Sequence, residues 1–173
     1  VFENFFLRML RGSGLKGLVS LDKKTKIEKI NLLRPLLEFD KTDLIYISKK
    51  VFNFYVEDPS NLDTKFKRIK IRNLMNELEQ NGLDKNKFSL TIDNLKNSNK
   101  TILFYVEQNL KKNIYFDKKK NILILNNDFF SQSYEVIFRS LSEMIKLIGM
   151  KYYPVRGKKI DNIIKKNMNN TLS

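Results

Sequence analysis

The sequence predicts a mostly α protein with a little β structure. Three observations carry that expectation. Apolar residues recur at three- and four-residue intervals over most of the chain, and only short stretches read as extended. Apolar side chains make up 42% of the 173 residues, thirteen of them Phe, enough for a real core in one ordinary domain or two small ones. No run approaches eighteen consecutive apolar residues, so no transmembrane helix and no membrane partner are expected. No secretory leader pattern opens the chain, and a cytoplasmic protein is the default.

Phe2, Phe5, Phe6 and Met9 fall at i, i+3, i+4 and i+7, the spacing of one helix face. The chain enters at Val1 already inside this pattern, with no start signal, as a truncated domain would. Gly12-Ser13-Gly14 stops the helix, because glycine takes a left-handed turn without steric cost. Residues 27–37 read as a short strand ending at Pro35, which has no N–H to give a ladder. Asp40 or Thr42 then caps a helix through Leu44, Ile47, Ser48, Val51 and Phe52.

A turn cluster, Glu57-Asp58-Pro59-Ser60-Asn61, leads into a helix from about Asn61 to Gln80. Its apolar stripe is Ile71, Leu74, Met75 and Leu78, and Lys65, Arg68 and Arg72 share a face roughly 100° away. Those arginines flank the packed face and are expected to be held rigidly. Asn81-Gly82 is the expected domain boundary, dividing 1–82 from 83–173. Beyond it, 84–112 read as one or two helices, interrupted near Asn97-Ser98-Asn99. A β-hairpin over 113–125 follows, turning at Lys118-Lys119-Lys120. Ser131 opens a helix with Val136, Ile137, Leu141, Met144, Ile145 and Ile148 on one face, ending at Gly149. A loop over 151–159 leads to a last helix carrying Ile160, Ile163 and Ile164, and no internal repeat is present.

The formal charge of +14 and pI near 9.8 point to a polyanionic partner, because Lys and Arg bind phosphates and release counterions. Richness in Lys, Asn and Ile is also a mark of AT-rich coding sequence, which inflates Lys everywhere, so charge alone leaves nucleic-acid binding open. The charge is uneven: residues 1–80 hold 16 basic and 11 acidic side chains, and residues 81–173 hold 17 and 8. The sequence contains no Cys and no His, which removes disulfides, thiolate metal sites, cysteine nucleophiles and imidazole bases from this segment. No Walker or Rossmann phosphate loop and no Ser-His-Asp set can be assembled, so a free-standing hydrolase is poorly supported.

Five groups of residues are candidates for function, each with a plain structural alternative. Glu3 is either a solvated first-turn glutamate or a site carboxylate. Arg11-Gly12-Ser13-Gly14 is either a helix stop or a phosphate cradle of backbone N–H groups beside a cation. Asp58-Pro59-Ser60-Asn61 reads first as capping. Arg68 and Arg72 are either surface charge or a bidentate phosphate clamp. In the loop 151–159, Lys151, Arg156, Lys158 and Lys159 surround Tyr152 and Tyr153, which either pack the last helix or stack bases.

Taken together these phrases resemble the tRNA(Ile)-lysidine synthetases, which are N-type ATP pyrophosphatases. The opening is similar to the family's D-x-x-E-T/N-x-L/F-x-R-x-x-R-G-S-G-L-x-G-L, with Glu3, Arg11, Gly12, Ser13, Gly14, Leu15, Gly17 and Leu18 matching. Arg34-Pro35-Leu36-Leu37 matches its R-P-L-L. Glu57, Asp58, Ser60, Asn61, Phe66, Arg68, Ile71 and Arg72 match its E-D-x-S-N-x-x-x-x-F/Y-x-R-N-x-I-R, with Ile69 standing where Asn is common. The stretch 151–161 is similar to Y-Y-P-V-R-G-K-K-I-D in some members.

The resemblance implies the C-terminal part of an α/β adenine-nucleotide alpha-hydrolase-like domain over 1–82. A mainly helical, tRNA-contacting domain with a small hairpin follows over 83–173. It implies ATP and Mg²⁺ as cofactors, tRNA(Ile) with a CAU anticodon and free L-lysine as partners, and leaves a homodimer open. In this family the C2 oxygen of the wobble cytidine is adenylated, and lysine then displaces AMP. By the resemblance Glu3 takes a carboxylate role, toward Mg²⁺ or the attacking amine, and Arg68 aids adenylation or AMP departure. Arg11 to Gly14, Arg34, Asp58, Asn61 and Arg72 would shape the nucleotide and anticodon site. Lys151, Tyr152, Tyr153, Arg156, Lys158 and Lys159 would hold tRNA.

Two family elements are not in the sequence: the S-G-G-x-D-S loop and the Asp that precedes Glu3 in D-x-x-E. Both would lie upstream of Val1, so an internal fragment, inactive alone, is expected. The alternatives are a basic RNA-binding module without chemistry and a sulfur-transferring relative, the latter disfavoured because such enzymes generally use cysteines. The upstream sequence discriminates among them.

Overall fold

A computed structural model describes residues 1–27, 30–57, 67–117, 119, 122–149 and 155–170. The chain forms two compact units, Val1–Lys96 and Asn97–Ser173.

In the first unit, α1 (Phe2–Met9) packs on α4 (Lys67–Gln80) and on the short α2 (Leu15–Leu18). Leu7 of α1 meets Ile71 and Met75 of α4, with Phe2 and Phe6 packed alongside. Phe88 closes the cluster, its ring 5.2 Å from Phe2, 5.3 Å from Phe5 and 5.4 Å from Phe6. Such aromatic groupings bury large area and add edge-to-face attraction. The expected apolar stripe of α4 is corrected at one position. Leu74 is 40% exposed, whereas Ile69 is buried.

The expected single strand is one half of a hairpin. β1 (Lys24–Ile27) pairs antiparallel with β2 (Ile30–Leu33), in the register Lys24↔Leu33 to Ile27↔Ile30. The polar sequence Lys-Thr-Lys gave β1 no apolar alternation to be read by. Pro35 ends β2 as expected and opens a 3₁₀ turn, Pro35–Glu38. Helix α3 (Lys41–Phe52) starts at Asp40 without a side-chain capping bond and ends at Asn53 in the left-handed region, φ 58°.

Helix α5 (Lys85–Asn113) is continuous for 29 residues, where an interruption near Asn97-Ser98-Asn99 was expected. It contains no Gly or Pro to break it. The Asp84 carboxylate accepts from the Asn86 and Lys87 N–H groups at 2.7 and 3.2 Å and caps it. Asn99 does not compete with the backbone, because its side-chain oxygen accepts from Arg139 at 2.6 Å. Phe88 and Ile92 of this helix belong to the first unit's packing, which carries that unit on to Lys96.

The second unit has a closed core of Phe129, Ile137, Leu141, Ile160 and Ile164, all 0–1% exposed. It is built by α6 (Tyr134–Ile148), α7 (Gly157–Asn170) and the hairpin of β3 (Ile114–Asp117) with β4 (Ile122–Leu125). The hairpin falls where the sequence predicts it. Ser133, rather than Ser131, precedes α6, because Asn127–Phe129 forms a 3₁₀ turn that uses up the residues before it. An amide ladder running outward from the buried Asn109 ties the unit together. Asn109 donates to the Ser140 hydroxyl at 3.1 Å, Asn113 donates to Asn109 at 2.8 Å, and Asn126 donates to Asn113 at 3.0 Å. Amides satisfied in this way cost little and link α5 to α6 and to the residue after β4.

Candidate functional site

The first unit contains a cavity of about 730 Å³ between the polar edges of α1 and α4 and the turn after α1. Helical spacing explains its lining. Asn4, Arg8 and Arg11 lie at i, i+4 and i+7 from α1 into the turn, and Arg68 and Arg72 at i and i+4 on α4. The apolar seam of Leu7 with Ile71 and Met75 brings those two rows together. Five cations, Arg8, Arg11, Lys67, Arg68 and Arg72, face one carboxylate, Glu3. A concave surface with that balance concentrates anions.

Two of the cations are engaged within the fold. Arg72 Nε donates to Glu3 Oε1 at 2.8 Å, which links α1 to α4 across 69 residues of sequence. That hydrogen bond, partly offset by desolvation, raises the Arg72 guanidinium above its already high ordinary value, so it stays charged. Arg8 Nη1 donates to the Gly17 carbonyl at 2.9 Å and locks the turn onto α2. Arg11, Lys67 and Arg68 have no side-chain partner among the described residues and remain for a ligand.

The turn itself is not the backbone cradle that the sequence allowed. The N–H groups of Arg11, Gly12 and Ser13 all donate to carbonyls of α1, at 3.1, 2.9 and 3.0 Å. They are spent ending the helix, with Gly12 at φ +69°. The side chains of Arg11 and Ser13 enter the cavity, and Gly12 and Gly14 shape the path that brings them there. At Gly17 a Cβ would stand 2.8 Å from Ser13 Cβ, so glycine is what lets α2 approach the turn.

Of the sequence candidates, the fold thus brings Glu3, Arg11, Ser13, Arg68 and Arg72 together. Arg34 is elsewhere: its Nη1 donates to the Asp22 carbonyl at 3.0 Å and to Thr25 Oγ1 at 2.9 Å, bracing the β1–β2 hairpin. Asp58 and Asn61, and likewise Lys151, Tyr152 and Tyr153, lie outside the described residues. Arg156, Lys158 and Lys159 are exposed at the start of α7, in the second unit. Sequence reasoning missed Asn4, Arg8 and Lys67; the first two were legible as a polar row at helical spacing with Arg11.

Among the described residues the cavity offers a single carboxylate, already receiving Arg72, and no group of three or more metal-ligating side chains exists. The residues present do not by themselves fit Mg²⁺, which needs several oxygen ligands. They fit a phosphate-bearing ligand.

Comparison with known proteins agrees. Residues 1–78 match the family model described as a PP-loop domain. The chain is 32% identical to the tRNA(Ile)-lysidine synthase of Wolbachia sp. subsp. Brugia malayi (strain TRS), over 89% of this chain and 36% of that protein. It is 30% identical to the tRNA(Ile)-lysidine synthase of Wolbachia pipientis wMel, over 99% of this chain and 41% of the relative. With the tRNA(Ile)-lysidine synthase of Anaplasma marginale (strain St. Maries) the identity is 28%, over 89% and 33%. The chain therefore spans between 33% and 41% of the length of these curated relatives. Residues 1–78 thus match a PP-loop domain, and the chain is similar along most of its length to part of the tRNA(Ile)-lysidine synthases.

Proposed function

We propose that the polypeptide carrying this chain ligates lysine to C2 of the wobble cytidine in the CAU anticodon of tRNA(Ile), using ATP. The C2 oxygen attacks the α-phosphorus and pyrophosphate leaves; the lysine amine then attacks C2 and AMP leaves with the oxygen. Both steps spread negative charge over phosphate oxygens, which fixed cations stabilise better than water does. Arg68 takes that role toward the adenylated intermediate, with Arg11 and Lys67 beside it. Glu3, oriented by Arg72, receives the lysine ammonium. Ser13 and the Gly12–Gly14 turn shape the rim, with Asp58 and Asn61 as further contacts, and Arg34 supports from the hairpin. The Mg²⁺ of the proposal requires carboxylates beyond Glu3, the expected upstream Asp among them.

Residues 1–82 form the end of the catalytic domain in this reading, and 83–173 contact tRNA, with Arg156, Lys158 and Lys159 joined by Lys151, Tyr152 and Tyr153. The observation that carries the proposal is Arg68, without a partner among the described residues, in one cavity with Arg11, Lys67 and the Glu3–Arg72 pair. The relatives' names support it. A non-catalytic RNA-binding module is not favoured.

The test uses the full-length polypeptide with ATP, Mg²⁺, labelled lysine and tRNA(Ile). Lysine is expected to enter the tRNA, and Arg68→Ala to reduce the rate about 10²- to 10³-fold, the usual effect of removing a transition-state charge partner. Glu3→Ala is expected to abolish incorporation while tRNA binding persists. Salt-sensitive tRNA binding without any lysine incorporation by the unmodified protein would leave only the binding module.

A further inference from the structure

The second unit has its own cavity, about 360 Å³, alongside α5. It lies within the range of small-molecule pockets, about 300–1,000 Å³. Phe104, Gln108 and Lys112 step along it at i, i+4 and i+8, about 6 Å apart along the helix axis. Tyr105 stands beside Phe104, the two rings 5.5 Å apart and nearly perpendicular at 79°. Phe104 is 57% exposed and Tyr105 52%, although a core lies within the same unit. Gln108 and Lys112 have no side-chain partner among the described residues. Asn109 and Asn113, also lining the cavity, are held in place by the amide ladder. Among the described residues no acidic side chain lines it.

We infer that this cavity takes an unpaired base of an RNA strand. An exposed aromatic corner offers a π-face to any base, an amide offers donor and acceptor to a base edge, and a cation one turn further on meets the adjoining phosphate. Charge favours the same occupant: residues 97–173 contain 14 Lys and Arg against six Asp and Glu. A base-paired strand cannot use the corner, because its bases are stacked on one another. The inference rests on the proposed function only in naming RNA as the partner; the cavity and its chemistry belong to the second unit alone.

The experiment measures affinity of the chain for a fluorescently labelled single-stranded RNA and for the same strand annealed to its complement, across a salt series. Phe104→Ala and Tyr105→Ala are each expected to weaken single-strand binding about fivefold to a hundredfold, the loss of one stacked base, and to leave duplex binding within about twofold. Lys112→Ala is expected to weaken both and to lower the salt slope by about one. Both aromatic positions are exposed, and unchanged circular dichroism melting confirms that the variants fold. Single-strand binding that survives both aromatic substitutions overturns the pocket and leaves the proposed ligase intact. Equal losses for single strand and duplex also overturn it, since that is a charge effect alone. A chain that binds no RNA overturns the pocket and the tRNA-contacting role of the second unit together, while lysine incorporation by the full-length protein remains a separate readout.

Discussion

The two units spend their side chains differently. The second unit closes on itself: five apolar residues of its core are almost wholly buried, and its buried amide, Asn109, is satisfied internally. In the first unit the tight packing centres on the α1–α4 seam, with Phe88 and Ile92 of α5 against it. β2 and α3 bury no residue at all, and Tyr46, Val51, Phe52, Phe54 and Val56 are each at least 64% exposed. The charged cavity sits on the seam, not on the exposed elements. A site needs only its immediate supports to be rigid, and here one apolar contact line and one ion pair supply them.

Substitutions separate the two regimes. Leu141→Ala removes a fully buried side chain of the second core and is expected to cost about 2–5 kcal/mol in urea unfolding. Val51→Ala on α3 is expected to change stability by less than about 0.5 kcal/mol. Equal losses at the two positions would erase the contrast. Asn109→Ala comes next: it orphans the Ser140 hydroxyl and the Asn113 amide, and a loss of about 1–3 kcal/mol is expected in the same measurement.

Glu3→Gln breaks a half-exposed ion pair and is expected to lower stability by no more than about 1 kcal/mol. The same change removes the charge proposed to receive the lysine ammonium, so activity is expected to fall far more than stability. A parallel fall would make Glu3 a structural residue.

The smallest effect concerns Tyr134, whose hydroxyl hydrogen-bonds to the Asp161 carboxylate and joins α6 to α7. That bond raises the phenol above its ordinary 10.0. A raised pKa means the contribution is fully present below pH 10 and fades as pH climbs through the raised value. In an ultraviolet titration of the seven tyrosines, Asp161→Asn is expected to move one of them down toward the others. No movement would remove this link between the helices.

Much of the helical framework was legible because it rests on local rules. Phe2, Phe5 and Phe6 announced α1, Gly12 its end, Pro35 the end of β2, and the apolar runs on either side of 118–121 the β3–β4 hairpin. The failures share one cause. β1 has polar alternation only, and Asn97-Ser98-Asn99 looked like a helix break; the first is a strand through its pairing with β2 and the second stays helical with Asn99 held by Arg139, each decided by a partner outside the local pattern. The amides that seemed mere compositional bias include the ladder that ties the second unit together.

The candidate site divides along the same line. The residue types of Glu3, Arg11, Ser13, Arg68 and Arg72, and their spacing on two helices, were determined by the sequence alone. So was the excess of positive charge. Only tertiary structure decided that Arg72 holds Glu3, that Arg8 is spent on Gly17 while Arg68 is not, and that Arg34 braces a hairpin outside the cavity. Helical periodicity is a property of a few neighbouring residues and is written in their order. Which guanidinium finds a carbonyl, a carboxylate or open space depends on contacts up to 69 residues apart in the chain, and these exist only after α1 has packed against α4.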